Sequence, residues 1–194
     1  RKHLMNSFTP FLISWNITKR CNLKCRHCYL DASELTSPNG ELSSDEALAL
    51  VDDIASINPN TMLILTGGEP LLRDDVFDIA KYASGKGLMV VLGTNGTMID
   101  DDTACKISES NIKGIGISID SLKPLSHDRF RGLDGAWEKT VSGIEALKRH
   151  NIDFQIQITV TKNNYDEIPA VIEYAYKKGA RAVNVFFLVC TGRG

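Results

Sequence analysis

Three cysteines stand within eight residues, in the segment Lys19-Arg20-Cys21-Asn22-Leu23-Lys24-Cys25-Arg26-His27-Cys28-Tyr29. Their spacing is C-x3-C-x2-C. Thiolates favour soft metals, with zinc and iron–sulfur clusters as the main candidates. A structural zinc wants four ligands, and an ordinary 4Fe–4S cluster wants four cysteines. Three thiolates leave one metal position open, which is how a protein makes a metal site reactive instead of structural. On spacing alone, a zinc site completed by His27 or by a distant residue is the alternative.

Other chemistry-bearing residues follow strand-like runs. Met62 to Leu65 leads into Thr66-Gly67-Gly68-Glu69-Pro70. Glycine lets backbone approach a ligand closely, and Pro70 biases Glu69 toward an extended backbone. The turn therefore presents a carboxylate and backbone groups at a strand end. Two later runs end in Thr94-Asn95-Gly96-Thr97 and Ser118-Ile119-Asp120-Ser121. Turn chemistry alone explains such residues equally well, since Asn, Gly, Asp and Ser dominate turns.

These residues must be held by the elements between them. Apolar runs at 11–17, 62–65, 88–92, 112–119, 154–160 and 182–189 read as six strands. Between them lie helix patterns. Ser43 and Glu46 make a capping box for a helix running to about Ile57. A second helix is expected over 76–84, a third over 101–108, and a fourth is marked by Trp137, Val141, Ile144 and Leu147. Ile168, Val171, Ile172 and Ala175 mark a fifth, closed by Gly179. Such alternation demands a parallel sheet with right-handed crossovers.

Strand parity then selects the architecture. Ile115, Ile117 and Ile119 alternate with Gly114, Gly116, Ser118 and Asp120, while Phe154, Ile156, Ile158 and Val160 alternate with Gln155, Gln157, Thr159 and Thr161. Phe11, Ile13, Trp15 and Ile17 alternate with Ser14, Asn16 and Thr18. A sheet covered on both faces reads apolar on both; these strands are apolar on one. The expected fold is α/β, a partial (β/α)6 TIM-like barrel with helices outside a polar concave face. An antiparallel sheet with one wet face is the alternative, opposed by the intervening helices. Barrel ligands gather at the C-terminal strand ends, where all these loops lie, and Gln157 and Thr159 face inward beside them.

Composition sets the outer limits. The chain has 194 residues, 43% hydrophobic and 24% charged, with a net charge of −2. These values suit a globular domain with a real core and argue against coating nucleic acid or a membrane surface. No apolar run approaches the ~20 residues of a bilayer span, and no leader pattern opens the chain, so a cytoplasmic location is expected. Five cysteines, an odd number, argue for metal over a disulfide framework. Cys105 is expected to be structural and Cys190 to be a small buried residue. The chain starts at Arg1 and ends just after the sixth strand, so residues 1–194 are expected to be one core domain of something longer, truncated at or just after that strand.

The cysteine loop after the first strand of a partial βα barrel, joined to the Gly67-Gly68-Glu69-Pro70 turn, resembles the radical S-adenosylmethionine (radical SAM) superfamily over essentially the whole chain. The resemblance implies that Cys21, Cys25 and Cys28 hold a catalytic 4Fe–4S cluster and that the open iron is chelated by S-adenosylmethionine (SAM). Reduction then breaks a carbon–sulfur bond, and a 5′-deoxyadenosyl radical abstracts hydrogen from substrate. It implies further that the backbone at His27 lies near the adenine, that Gly67, Gly68 and Glu69 contact the SAM amino group, and that Ser118 and Asp120 bind the ribose. Asn95, Gln157 and Thr159 complete the implied cofactor set. An electron donor such as flavodoxin or ferredoxin is implied, with a small-molecule substrate and neither nucleic acid nor membrane.

Ser14-Trp15-Asn16 and Cys190-Thr191-Gly192-Arg193-Gly194 narrow the resemblance to enzymes of haem side-pathways, which act on siroheme-derived or related iron tetrapyrroles. Related sequences commonly have proline where Cys190 stands. These enzymes belong to a wider group with a C-terminal (SPASM-like) extension that usually binds an auxiliary 4Fe–4S cluster. Peptide- and quinone-cofactor maturases belong to it too and are the runner-up; a non-catalytic zinc-binding α/β domain is the rival of a different class. Tetrapyrroles carry carboxylates, which arginine binds bidentately. Arg193, with Arg129 or Arg131, is the candidate for that contact; for Arg129 and Arg131 the simpler reading is solvated loop charges.

Overall fold

A computed structural model describes residues 9–33 and 40–194. Six strands, β1 (Leu12–Thr18), β2 (Met62–Gly67), β3 (Met89–Thr94), β4 (Gly114–Ser118), β5 (Phe154–Val160) and β6 (Val183–Phe187), form one sheet in chain order. Every neighbouring pair is parallel. The order never reverses, so the sheet curves one way as an arc of a barrel, with β1 and β6 as its unjoined edges. The expected partial barrel is the fold observed. Among the described residues, no helix is long and apolar enough to cross a membrane.

Six helices carry the crossovers: α1 (Ser44–Ile57), α2 (Val76–Gly85), α3 (Asp101–Glu109), α4 (Pro124–Arg131), α5 (Ala136–Arg149) and α6 (Ile168–Lys178). The capping box closes as read: the Ser43 hydroxyl accepts the Glu46 N–H at 3.3 Å, and the Glu46 carboxylate accepts the Ser43 N–H at 2.8 Å. Gly179 ends α6 in the left-handed region at φ +83°, where a side chain would strain the backbone. Helix α4 was not expected. It has two apolar residues, and Leu125 is exposed. What α4 buries is polar, namely His127, Asp128 and Arg131. Periodicity of apolar residues cannot register such a helix.

The two faces of the sheet differ, but the concave one is mixed and not simply polar, because β2 and β3 place Ile64 and Val91 on it. Leu63, Leu65, Val90, Leu92, Ile115, Ile117, Ile156 and Ile158 are wholly buried against the helices, where Val51, Ile79, Ile107, Ile144 and Leu147 meet them. The concave face bears Ser14, Ile64, Thr66, Val91, Gly93, Gln155 and Gln157, which line a cavity of about 770 Å³. At the end of β1 the register with β2 shifts between Asn16 and Thr18. An irregularity there bends the strand as it feeds the cysteine loop.

Candidate functional site

The cysteine loop is held from several sides. The Lys24 N–H bonds the Arg131 carbonyl at 3.1 Å and the Arg26 N–H bonds the Phe130 carbonyl at 2.9 Å, so the end of α4 straddles Cys25. Arg193 returns from the C-terminal segment. Its guanidinium donates to the carbonyls of Cys25 (2.8 Å) and Ala32 (3.1 Å) and pairs with Asp31. Leu23, Ala32 and Ala136 pack with Cys21 and Cys25 in a small apolar cluster. Each of the three sulfurs accepts one hydrogen bond: Cys21 from the Leu23 N–H at 3.4 Å, Cys28 from the Ala32 N–H at 3.4 Å, and Cys25 from the Arg131 guanidinium at 3.8 Å. Burial pushes the Cys21 thiol up to about 12, so in the metal-free protein this group keeps its proton. A metal's charge reverses that preference.

The Gly67-Gly68 turn docks directly on this loop. The Gly68 N–H bonds the Thr18 carbonyl and the Glu69 N–H bonds the Arg20 carbonyl, both at 2.8 Å. A side chain on Gly68 would place its Cβ 2.1 Å from the Arg20 oxygen. Only glycine permits this approach. The Glu69 side chain turns away from the turn's open side. It is fully buried and accepts the Thr94 hydroxyl (2.8 Å), the Asn95 N–H (2.9 Å) and the Leu71 N–H (3.1 Å). Burial raises its carboxyl to about 7 against the pull of these donors. Glu69 thus ties the β2 turn to the end of β3.

One cavity of about 190 Å³ gathers most of the residues singled out by sequence. Cys21, Cys25, Cys28, His27, Gly67, Gly68, Asn95, Ser118, Gln157 and Arg193 all border it. It lies at the C-terminal ends of the strands. Tyr29, Thr66, Gly93 and Gln157 also border the larger cavity of the concave face, so the two spaces adjoin. The Asn95 amide donates to Asn22 at 2.9 Å, which ties the β3 turn to the cysteine loop. His27 stacks on Phe130, ring centres 4.4 Å apart and nearly parallel, and burial, helped by the Arg131 charge, lowers it to about 4.

Glu69, Asp120 and Thr159 are not among the residues bordering that cavity. Asp120 is buried behind it. One carboxylate oxygen accepts the Thr159 N–H at 2.9 Å and the other meets Arg131 at 2.5 Å. Arg131 does border the cavity, and it is not a solvated loop charge, being 8% exposed and paired with Asp120. The signal was the Gly132 that follows. Gly132 is left-handed (φ +73°), and its Cβ would fall 2.5 Å from the Lys24 oxygen, which marks a close approach of α4 to the cysteine loop. Arg193 also borders the cavity, with its guanidinium bonded to the cysteine loop. Cys190 and Cys105 are both exposed, against the expectation of burial for the first. The chain runs over the surface after β6 at Cys190, and Cys105 lies on the outer side of α3, its sulfur 3.6 Å from Glu109.

A family model of the radical SAM superfamily matches residues 15–175. The chain belongs to the radical SAM superfamily. This radical SAM chain is 48% identical over 185 residues to the AdoMet-dependent heme synthase of Methanosarcina barkeri, covering 95% of the chain and 52% of that protein. It is 37% identical over 183 residues to the Fe-coproporphyrin III synthase of the same organism, covering 94% of the chain and 45% of that protein. The solved structure of native anSMEcpe with bound AdoMet superposes with a TM-score of 0.75 at 25% identity, covering 92% of this chain and 51% of that one. The chain spans about half the length of the curated relatives it matches.

Radical SAM enzymes carry a 4Fe–4S cluster and SAM, and the residues present fit both. Three hydrogen-bonded cysteine sulfurs border one cavity. Among the described residues no three His, Cys, Asp or Glu side chains meet at a point where a single ion would sit. The three cysteines border one space, and a cubane takes one thiolate per iron. Two buried nitrogens, His27 Nδ1 and Arg131 Nε, have no protein partner, and both residues border this cavity. Buried polar groups are normally satisfied, so the cavity suits a polar occupant.

Proposed function

We propose that this chain is the SAM-cleaving core of a radical SAM enzyme that acts on an iron tetrapyrrole. The observation that carries the reading is the shared cavity: Cys21, Cys25 and Cys28 border one space with the Gly67-Gly68 turn, at the C-terminal strand ends. When bound, the reduced 4Fe–4S cluster and SAM supply a 5′-deoxyadenosyl radical that abstracts hydrogen from substrate.

The chain's own residues do the rest. Cys21, Cys25 and Cys28 give the three thiolates. Gly67 and Gly68 offer backbone with no side chain in the way, so a ligand can lie close to the turn. Glu69 keeps that turn against β3 through Thr94 and Asn95 and acts on the ligand through its backbone position. Ser118, Gln157 and Asn95 line the space beyond the cysteines, and the backbone at His27 covers one side of it. Asp120 and Thr159 act from behind, holding the end of β4 to β5.

The relatives' names support the substrate class: one is a heme synthase and the other an iron-coproporphyrin synthase. The concave cavity of about 770 Å³ next to the cysteine site gives a bulky substrate room beside the radical source. A low-potential donor such as flavodoxin or ferredoxin would supply the electron, which places the proposed reaction in the cytoplasm. Residues 1–194 then form one core domain, and the whole protein adds an auxiliary 4Fe–4S cluster beyond it.

Anaerobic reconstitution with iron and sulfide, followed by dithionite and SAM, tests the reading. The expected result is a brown protein whose absorbance bleaches on reduction and which yields 5′-deoxyadenosine. Stoichiometric zinc with no such product would instead support a zinc-binding domain. With the whole protein, loss of carboxyl groups from an iron tetrapyrrole is expected; turnover of a peptide alone would favour the maturase reading.

A further inference from the structure

The three sulfurs are not equivalent. Cys21 and Cys28 accept hydrogen bonds from neutral backbone N–H groups, whereas Cys25 accepts one from a guanidinium. Arg131 is 8% exposed, and its partner Asp120 is 1% exposed at 2.5 Å. The guanidinium is also fixed in place. The Arg131 and Phe130 carbonyls take the N–H groups on either side of Cys25, and Gly132 lets α4 come that close. A buried cation thus stands between one cysteine sulfur and one carboxylate.

We propose that Arg131 is a positioning residue for the redox group: it sets the reduction potential of the cluster through the Cys25 sulfur, and Asp120 moderates it. Hydrogen bonds to the sulfurs and the net charge nearby are main determinants of iron–sulfur potentials. A cation at Cys25 stabilises the more negative, reduced cluster and raises its potential. Asp120 subtracts from that effect. The inference rests on the cysteine assignment proposed above.

The two residues have opposite signs, and a purely structural role would not. The experiment is a potentiometric titration, followed by electron paramagnetic resonance, of the reconstituted chain without SAM, alongside iron content and circular dichroism. Arg131→Gln is expected to lower the midpoint potential and Asp120→Asn to raise it. Arg131→Lys, which keeps the charge, is expected to stay nearer the parent than Arg131→Gln does. A potential unchanged in Arg131→Gln at full iron content, or shifts of the same sign in Arg131→Gln and Asp120→Asn, would overturn the proposal. Should Arg131→Gln not fold, the Asp120→Asn and Arg131→Lys pair carries the same test: a raised potential in the first and a small change in the second are expected, and a lowered potential in the first overturns it. Failure of the parent chain to assemble any cluster would instead overturn the cysteine assignment, and this proposal with it.

Discussion

Glu69 holds Asn95 by its backbone N–H at 2.9 Å while fully shielded from solvent, and its other carboxylate oxygen takes the Thr94 hydroxyl at 2.8 Å. The acidic residue of the glycine turn thus faces into the protein, and the turn's glycines face the cysteine loop. Joining β2 and β3 at this rim keeps the Gly67-Gly68 backbone at a fixed height against Thr18 and Arg20.

The burial of Glu69 makes stability depend on pH. Its carboxyl titrates near 4.5 when unfolded and at about 7 when folded. The folded state therefore holds the proton more tightly between these values. Stability from the neutral form is complete below about pH 4.5, is lost as pH rises toward 7, and levels off above. The difference is about 3 kcal/mol by linkage. Urea midpoints of the metal-free chain from pH 4.5 to 8, compared with Glu69→Gln, check this. The parent is expected to lose stability relative to the variant across that window. The comparison cancels His27 and His127, whose lowered values give the opposite slope.

Gly68→Ala is expected to damage the site more than its size suggests. Its Cβ would meet the Arg20 carbonyl at 2.1 Å, so either the turn or the cysteine loop must move. A loss of about 2–4 kcal/mol is expected from such strain, with iron bound per folded chain falling by at least half. Gly85→Ala, where a Cβ meets nothing within 4 Å, is the matched control and should keep its iron.

Phe130→Leu removes the stacked partner of His27. Such a pair contributes about 1 kcal/mol beyond area burial. Faster hydrogen exchange is expected at the Arg26 amide, which bonds the Phe130 carbonyl. Unchanged exchange there would mean that the stack does not hold the loop.

Leu147→Ala separates folding from chemistry. Leu147 is wholly buried in α5 and does not border the cysteine cavity. A loss of about 2–5 kcal/mol is expected, with a normal iron content in whatever remains folded. Thermal melts beside iron analysis read both quantities.

Much of this was legible in the residues because local chemistry and global fold agree. The alternation in β4 and β5 required one covered and one open face, and the C-x3-C-x2-C loop and Gly67-Gly68 turn could serve only at strand ends. What escaped detection was polar burial. Helix α4 shows almost no apolar periodicity, since what it buries is held by polar partners outside the helix: Asp128 accepts the N–H groups of Gly135 and Trp137 to cap α5, and Arg131 meets Asp120 and Cys25. The hold of Arg193 on the cysteine loop is equally invisible in the sequence, because its partners lie more than 160 positions away in the chain.

The central claim is a cubane on three thiolates with one iron left for SAM. Mössbauer spectroscopy of the chain reconstituted with enriched iron tests it most directly. The account predicts that SAM alters the signal of one iron and leaves the other three unchanged, and that Cys25→Ala loses the cluster while keeping its fold. Four irons that all ignore SAM, or a full cluster retained in Cys25→Ala, would contradict it.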